Sequence, residues 1–444
     1  MSDLFIIGAS GTKAYRQAMA AISENIANAS TEGYSRRSLT TIESGSSTAT
    51  MATYISRANF GGTEVKGVNR AADPYLDATV RYTGMALSSS TARLRWMSDL
   101  EGALNDTDTG IGKLMTGMYQ NIDKLAASPS DRSLRVTTLD SISRVAEAFQ
   151  RTSADLAQVS SGIATEAQAS VDAINRSVSQ LADINNSLLR SQPGTSAYAQ
   201  LLDSRDQALN TLSANLNVDI SFGAHDQAQI SYNGQTLVQG NAATSVALTV
   251  NSDGTMALAT GGGAALTAPA NGTLGGLFSA ASTTAQRRTS LDTLAQQFVT
   301  DMNAWHAQGR TDANAAGGAL LSGTTAASVT ALITDPSALA TKSADGTLNG
   351  NLLTAGTVLR GNGSVEQGWT AIIATQANLL SSVKAEQSTA QGRSDQAIAA
   401  REAVSGVDLD MEAAELLRLQ QAYSGSAKIL QVAKETVDAI LQII

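Results

Sequence analysis

The chain has 444 residues, a formal net charge of −9, 4% aromatic and 16% charged residues, and no cysteine. One hydrophobic core stops growing well below that length, so more than one folding unit is expected. The acidic balance, without an extended Lys/Arg run, removes the attraction that nucleic acid or an anionic membrane surface needs, and missing thiols exclude disulfides and thiolate metal sites.

At the start, the apolar run Leu4–Ile7 has no basic region ahead of it, so no Sec signal is read. No stretch of about 18 consecutive apolar residues offers a membrane span. A secreted chain of this kind would use export without a cleavable signal peptide. The first thirty residues place Phe5, Gly8, Thr12, Tyr15, Met19, Ile22, Ile26 and Ala29 on a three-four alternation, which predicts a helical seam.

Asp73-Pro74 is an N-cap and first-turn pair, and Leu76, Val80, Leu87, Leu94, Met97 and Leu104 follow at helical spacing, predicting a helix over 74–104. A second helix runs from Ile111 to Leu125 and breaks at Ser128-Pro129. A third keeps its period from near Asp131 to Pro193-Gly194, roughly 90 Å if continuous at 1.5 Å per residue. Ala197–Leu212 adds a fourth.

From Asn217 the period changes to two: Val218, Ile220 and Phe222, then Ile230 and Tyr232, then Val246, Leu248 and Val250 alternate with polar residues. Asn233-Gly234 and Asp253-Gly254 punctuate them as hairpin turns. This predicts a small antiparallel β domain over 217–270. Helical spacing returns at Leu291, Leu294, Phe298, Met302 and Trp305. Residues 307–361 read as an irregular excursion with short strands, and 364–402 as a last long helix.

The C-terminal forty residues repeat the three-four alternation: Leu409, Glu412, Leu416, Leu419, Tyr423, Ser426, Leu430, Ala433, Val437, Ile440 and Ile444. An apolar seam of that length must be buried against something. The candidate assembly interface is therefore Phe5, Tyr15, Met19, Ile22, Ile26, Leu409, Leu416, Leu419, Tyr423, Leu430, Val437 and Ile440. The fold class expected is mainly α with a β insert: an elongated rod of long helices with a small antiparallel β domain in the middle. Its three parts are 1–37 plus 405–444 as a terminal coiled-coil assembly layer, 38–216 plus 271–404 as a helical bundle, and 217–270 as an outer β domain.

The inventory for chemistry is poor. His225 and His306 are the only histidines, fall in different predicted parts and have surface or capping roles as the expectation. Gly11-Thr12-Lys13 lacks the upstream glycine of a phosphate loop. Asp203 and Asp206 flank Arg205 as helix-surface ion pairs, and Asp408 and Asp410 suit a helix N-terminus. No catalytic, cofactor or metal site is expected, and no enzymatic activity. A secreted glycan-binding or glycan-cleaving module is the alternative from another class; it would need Asp219, Asp226 and Asp253 to converge with Phe222 and Tyr232.

Two motifs carry a resemblance. Ser23-Glu24-Asn25-Ile26-Ala27-Asn28 through Thr31, Gly33-Tyr34 and Arg36 is similar to the N-terminal signature of flagellar rod, hook and hook-associated proteins, with Glu24 where the first Asn is usual. Ser405-Gly406-Val407-Asp408-Leu409-Asp410, continuing to Gln420-Gln421-Ala422-Tyr423, resembles their C-terminal signature. The family-motif residues are thus Asn25, Ile26, Ala27, Asn28, Gly33, Tyr34 and Arg36. Leu201-Leu202-Asp203-Ser204-Arg205-Asp206, Gly234-Gln235-Thr236-Leu237-Val238, Gly272–Leu277 and Asn303-Ala304-Trp305-His306 resemble, in order and spacing, the hook-filament junction family, hook-associated protein 1. The chain is shorter than many of its members, with the reduction expected in the outer β region. The resemblance implies an extracellular flagellar subunit in a homo-oligomeric ring or tube. Its neighbours would be the hook protein and the second hook-filament junction protein, with a cytoplasmic export chaperone on the C-terminal helix; another axial protein (rod, hook or second junction subunit) is the nearest alternative.

Overall fold

A computed structural model describes residues 2–31, 33–44 and 61–442. Glu32 of the N-terminal signature and Ile444 of the C-terminal seam lie outside them. The described chain is mostly long helices with small antiparallel sheets, in the order α1 (Ser2–Ala27), β1 (Arg37–Glu43), β2 (Thr63–Arg70), α2 (Pro74–Ala103), α3 (Ile111–Ala127), α4 (Arg132–Arg190) and α5 (Ser196–Asn215). Then come β3 (Asp219–Phe222), β4 (Ala228–Tyr232), β5 (Gln235–Gln239), β6 (Ala242–Ala243), β7 (Val246–Val250), β8 (Met256–Thr260) and β9 (Ala265–Leu266). The remainder is α6 (Gly272–Gln308), β10 (Leu321–Ser322), β11 (Thr330–Ala331), α7 (Gly350–Leu359), α8 (Val365–Ser405) and α9 (Leu409–Leu441). The chain makes two compact units: one of Met1–Met85, Ala173–Ser245 and Gln391–Ile444, the other of Ala86–Asp172 and Val246–Ala390.

The helices start where the sequence places caps. Asp73 accepts the N–H groups of Tyr75 at 2.8 Å and Leu76 at 3.3 Å, opening α2, and Asp131 does the same for Ser133 and Leu134 before α4. α4 is continuous for 59 residues. α6 starts at Gly272, well before the expected Leu291. A Cβ on Gly276 would stand 2.2 Å from the Ser89 carbonyl oxygen, so glycine here permits close approach of α6 to α2.

The second unit holds the large apolar core. Met97 and Leu100 of α2, Met115 and Met118 of α3, Phe149 of α4, Phe298 and Trp305 of α6, and Trp369 of α8 are almost wholly buried, with Phe149 and Phe298 stacked at 5.6 Å. At about 25 cal/mol per Å² of buried apolar surface, such side chains contribute roughly 1.5–3 kcal/mol each. The excursion 307–361 is pinned to this core by side-chain amides. Asn303 Nδ2 donates to the Leu321 carbonyl at 2.9 Å while its Oδ1 accepts from Leu320 and Leu321 N–H, and Asn351 donates to the Ala340 carbonyl at 2.8 Å.

His306 is not a surface residue; it is wholly buried. Its Nδ1 stands 2.6 Å from the Gly318 carbonyl oxygen and donates to it, while Nε2 accepts from Ala340 N–H at 2.8 Å. Burial holds its pKa below the usual histidine value, partly opposed by the Gly318 bond. His225, by contrast, is exposed in a short turn with φ 55.

The strands expected over 217–270 fall into two sheets that share no ladder. β3-β4-β5-β6 belongs to the first unit and β7-β8-β9 to the second. Each is drawn to a different anchor. Buried Asn185 of α4 donates to the carbonyls of Ala228 and Gly240 and accepts Ala228 N–H, all at 2.8–2.9 Å, fixing the first sheet. In the second, Leu248 and Met256 pack on the apolar core, and Arg288 donates to the Asp253 carbonyl at 3.0 Å. Two further elements carry no period in the sequence: the β1–β2 hairpin, paired from Arg37↔Arg70 to Glu43↔Thr63 with a bulge at Thr40/Thr41, and α7.

Candidate functional site

In the first unit, α1 packs along α9 and the β1–β2 hairpin lies on α1. The helices run antiparallel: Gly8 faces Leu430, Gly11 faces Ser426, and Asn25 bonds Glu412. A Cβ on Gly8 would lie 2.8 Å from Leu430 Cγ, and one on Gly11 2.7 Å from Ser426 Oγ, so both glycines bring the helices close. α9 is capped by Asp408, whose Oδ1 accepts from Asp410 N–H at 3.0 Å and Met411 N–H at 3.1 Å. Asp410 and Glu412 in the first turn complement the helix dipole.

The seam residues distribute unevenly. Ile22 and Leu419 are buried, and Phe5, Tyr15, Met19, Leu416, Leu430 and Val437 half-buried, whereas Ile26, Leu409, Tyr423 and Ile440 are exposed. On α9 the covered row, Glu412, Leu416, Leu419, Ser426, Leu430, Ala433 and Val437, follows the heptad read from the sequence. On α1 the fully buried positions are Gly8, Gly11, Ala14, Ile22 and Asn25. Gly8 and Ile22 of the expected α1 row thus lie in the contact, whereas Phe5, Tyr15 and Met19 sit beside it, because Gly11 and Ala14 mark a close helix approach and no hydrophobic count finds them.

Asn25 is 0% exposed and uses its whole amide. Nδ2 donates to the Arg37 carbonyl at 2.8 Å and to Glu412 Oε2 at 3.0 Å; Oδ1 accepts Arg37 N–H and the Tyr34 hydroxyl, both at 2.8 Å. Gly33 supplies the φ of 81° that turns the chain back toward α1. Asn28 Nδ2 donates to the Glu24 carbonyl at 2.9 Å and its Oδ1 accepts from Thr31 at 3.2 Å. Arg36 donates its N–H to the Ser405 carbonyl at 2.9 Å and stands 3.9 Å from Glu412. Ala27 is exposed. The signature thus encodes a folded bracket, with Ile26 and Ala27 on its outside.

Behind the bracket is a charge cluster that the motif does not announce. Arg37, 4% exposed in its side chain, pairs with Glu24, donates to Ser196 Oγ at 3.0 Å and Asp203 Oδ2 at 3.0 Å, and lies 5.0 Å over the Tyr34 ring. Arg70 donates to Asp206 Oδ2 at 2.8 Å and Ser35 Oγ at 3.1 Å. Its Nε is 2.7 Å from Asp203 Oδ1 but out of line for a hydrogen bond, leaving both atoms without an aligned partner. The expectation that Asp203 and Asp206 are helix-surface partners of Arg205 fails for both: Asp206 accepts from Arg205 at 2.7 Å, but their side chains are only 13% and 10% exposed and Asp206 also takes Arg70. Asp203 is a buried counter-ion to Arg37 and Arg70. Burial raises its carboxyl pKa, with Arg70 and then Arg37 opposing, and burial also pushes the Tyr34 phenol up to about 12.

No group of His, Asp or Glu that could hold a metal occurs among the described residues, and no described helix is long and apolar enough to cross a membrane. Of the three carboxylates of the glycan reading, Asp219 is exposed on β3, Asp226 accepts the Tyr198 hydroxyl at 2.8 Å and Asp253 accepts from Thr255. Tyr232 is buried and Phe222 lies under the Arg205 guanidinium at 4.4 Å, so neither offers a free aromatic platform.

Paired end helices with a bracketed signature define the class of flagellar axial proteins, and both ends match accordingly. The flagella basal body rod protein model matches residues 6–34 and the flagellar basal body rod FlgEFG C-terminal model residues 402–443. Residues 97–321, half of the chain, match the flagellar hook-associated protein FlgK helical domain, and the chain belongs to that family. It is 27% identical over 322 residues to flagellar hook-associated protein 1 of Escherichia coli, covering 70% of this chain and 58% of that protein. It is 26% identical over 212 residues to the Bacillus subtilis protein of the same name, covering 47% of this chain and 42% of that one. The chain thus spans about half the length of these relatives. The solved structure of the flagellar hook junction protein FlgK from Burkholderia pseudomallei shares the fold with a TM-score of 0.66 at 15% identity, covering 75% of this chain and 100% of that one.

Proposed function

We propose that this chain is a structural subunit of the bacterial flagellum that joins hook to filament, assembling through α1 and α9 into a homo-oligomeric ring or tube. One observation carries the reading beyond family membership. α9 spends one face on α1 and keeps a second apolar row exposed: Met411, Ile429, Val432 and Ile440 are 58%, 37%, 47% and 38% exposed. α1 likewise exposes Leu4, Ile6 and Ile26. Rows of this kind are what neighbouring subunits bury.

The same reading makes the chain an extracellular protein exported without a cleavable signal peptide. Its neighbours are the hook protein and the second junction protein, and an export chaperone holds α9 beforehand. It assigns no catalysis, cofactor or metal. The three domain parts inferred from sequence, 1–37 plus 405–444, 38–216 plus 271–404, and 217–270, remain our functional division into assembly layer, bundle and outer part.

Immunogold labelling should mark the hook-filament boundary; label along the whole hook or rod would favour another axial role. Ile429→Asp with Val432→Asp, on the row facing away from α1, should abolish filament attachment while circular dichroism of the purified chain stays helical. Normal filaments in a strain carrying both changes would sink the reading.

A further inference from the structure

The chain carries no cysteine, so methionine is its most readily oxidised side chain. Among the described methionines, Met97, Met115, Met118 and Met302 are buried and Met19, Met85 and Met256 half-buried; Met411 alone is exposed, at 58%. Access to the sulfur decides which thioether an oxidant reaches, so burial singles out one position. Met411 sits in the first turn of α9, where Asp408 accepts its backbone N–H. It walls two cavities, one of about 710 Å³ shared with Tyr34, Arg36 and Val404, the other of about 760 Å³ shared with Ile22, Arg36 and Leu39. Val404 and Leu409, on either side of the elbow, are exposed as well. The sulfur therefore belongs to an apolar surface, and to the row that the assembly reading gives to a neighbouring subunit.

Oxidation changes this surface in kind. The thioether sulfur attacks an oxygen of hydrogen peroxide; the S–O bond forms as the O–O bond breaks, water leaves, and the sulfur loses the two electrons that the peroxide gains. The product carries a strong hydrogen-bond acceptor on what was an apolar side chain. Arg36 lines both cavities, and its guanidinium meets only Glu412, at 3.9 Å, so it has donors to spare for that oxygen. We propose that Met411 is an oxidation site whose sulfoxide withdraws the first turn of α9 from apolar contact with a neighbouring subunit, so that peroxide blocks assembly and a methionine sulfoxide reductase restores it. The choice of Met411 stands on the isolated chain; its effect on assembly rests on the reading above.

Hydrogen peroxide treatment of the full-length protein, followed by peptide mass spectrometry, tests the first part. The tryptic peptide 402–418 holds no other methionine, and its oxygen adduct should form about tenfold faster than those of Met19, Met85 and Met256. Equal or slower oxidation of Met411 would overturn the proposal. Protein oxidised until Met411 alone is modified is then mixed with hook-bearing particles from cells lacking the chain, and its retention on sedimentation is compared with that of untreated protein. A loss of about tenfold is expected when a polar group must enter an apolar contact, and treatment with the reductase should reverse it. Undiminished retention, or a loss that the reductase leaves in place, would sink the idea. Ile429→Asp with Val432→Asp runs alongside. Retention of that double variant, or no retention of the untreated chain, counts against the assembly reading itself; loss of the double variant beside full retention of the oxidised chain refutes the Met411 proposal alone.

Discussion

The core of the second unit and the end layer of the first bury helices by opposite means. In the core, Phe149, Phe298, Trp305 and Trp369 fill space with large apolar side chains, and uncharged amides such as Asn303, Asn351 and Gln376 tie main-chain carbonyls down around them. In the end layer, glycines and alanines face α9, and the buried groups that fix the arrangement are an amide, two guanidiniums and three carboxylates. Apolar area is non-directional and tolerates small displacement, whereas hydrogen-bonded charge is all geometry. The comparison teaches that stability and addressability are built in different places: the core supplies free energy, and the ends supply a specific docking geometry.

The largest expected effect breaks the comparison at the core. Phe149→Ala removes one ring of the stacked pair and should cost about 3–5 kcal/mol, read as a fall in urea midpoint reported by Trp305 and Trp369 fluorescence. A loss under about 1 kcal/mol would mean that the core collapses around the gap and is not the main source of stability. A smaller effect sharpens it through His306. Its folded pKa lies below the usual 6.5, so the unfolded chain binds the proton first and the second unit should be stable above about pH 6.5 and lose stability as pH falls below it. Thermal unfolding at several pH values should show that slope in the wild type and a shallower one in His306→Gln; equal slopes would remove the histidine from the account. The smallest effect is at the surface of α9, where Arg418 pairs with Glu415 in full view of solvent. Arg418→Ala should leave the melting temperature unchanged, and a clear drop would mean that the exposed side of α9 matters to the isolated chain.

Much of this architecture was legible in sequence wherever one rule dominated. α2 was expected over 74–104 and occupies Pro74–Ala103, because Asp73, Pro74 and a clean period agree. The heptad of α9 was read nearly position by position. Reading failed where tertiary context overrides local pattern. The hairpin's strands RSLTTIE and TEVKGVNR alternate weakly, since their inward residues meet a helix and not a sheet core. The row of α1 agrees at Gly8 and Ile22, but Gly11, Ala14 and Asn25, which complete its contact, carry no apolar bulk for a hydrophobic pattern to find. Asn25 itself is visible as part of a motif, but its role requires seeing Arg37, Tyr34 and Glu412 in one place, and Asp203, the partner of Arg37, lies far away in sequence.

The close approach of Gly8 and Gly11 to Leu430 and Ser426 has a mechanical side. On α1, Gly8 and Gly11 leave holes that Leu430 and Ser426 of α9 enter, so sliding one helix along the other by a turn of about 5.4 Å would lift both side chains out of their seats. The bond from Asn25 to Glu412 exists in one register only. The end pair is therefore a rail seated in shallow notches at Gly8 and Gly11 and keyed by a directional bond at its other end, next to the elbow at Ser405–Asp408, so that a longitudinal load reaching α9 has to break a hydrogen bond as well as unseat two side chains.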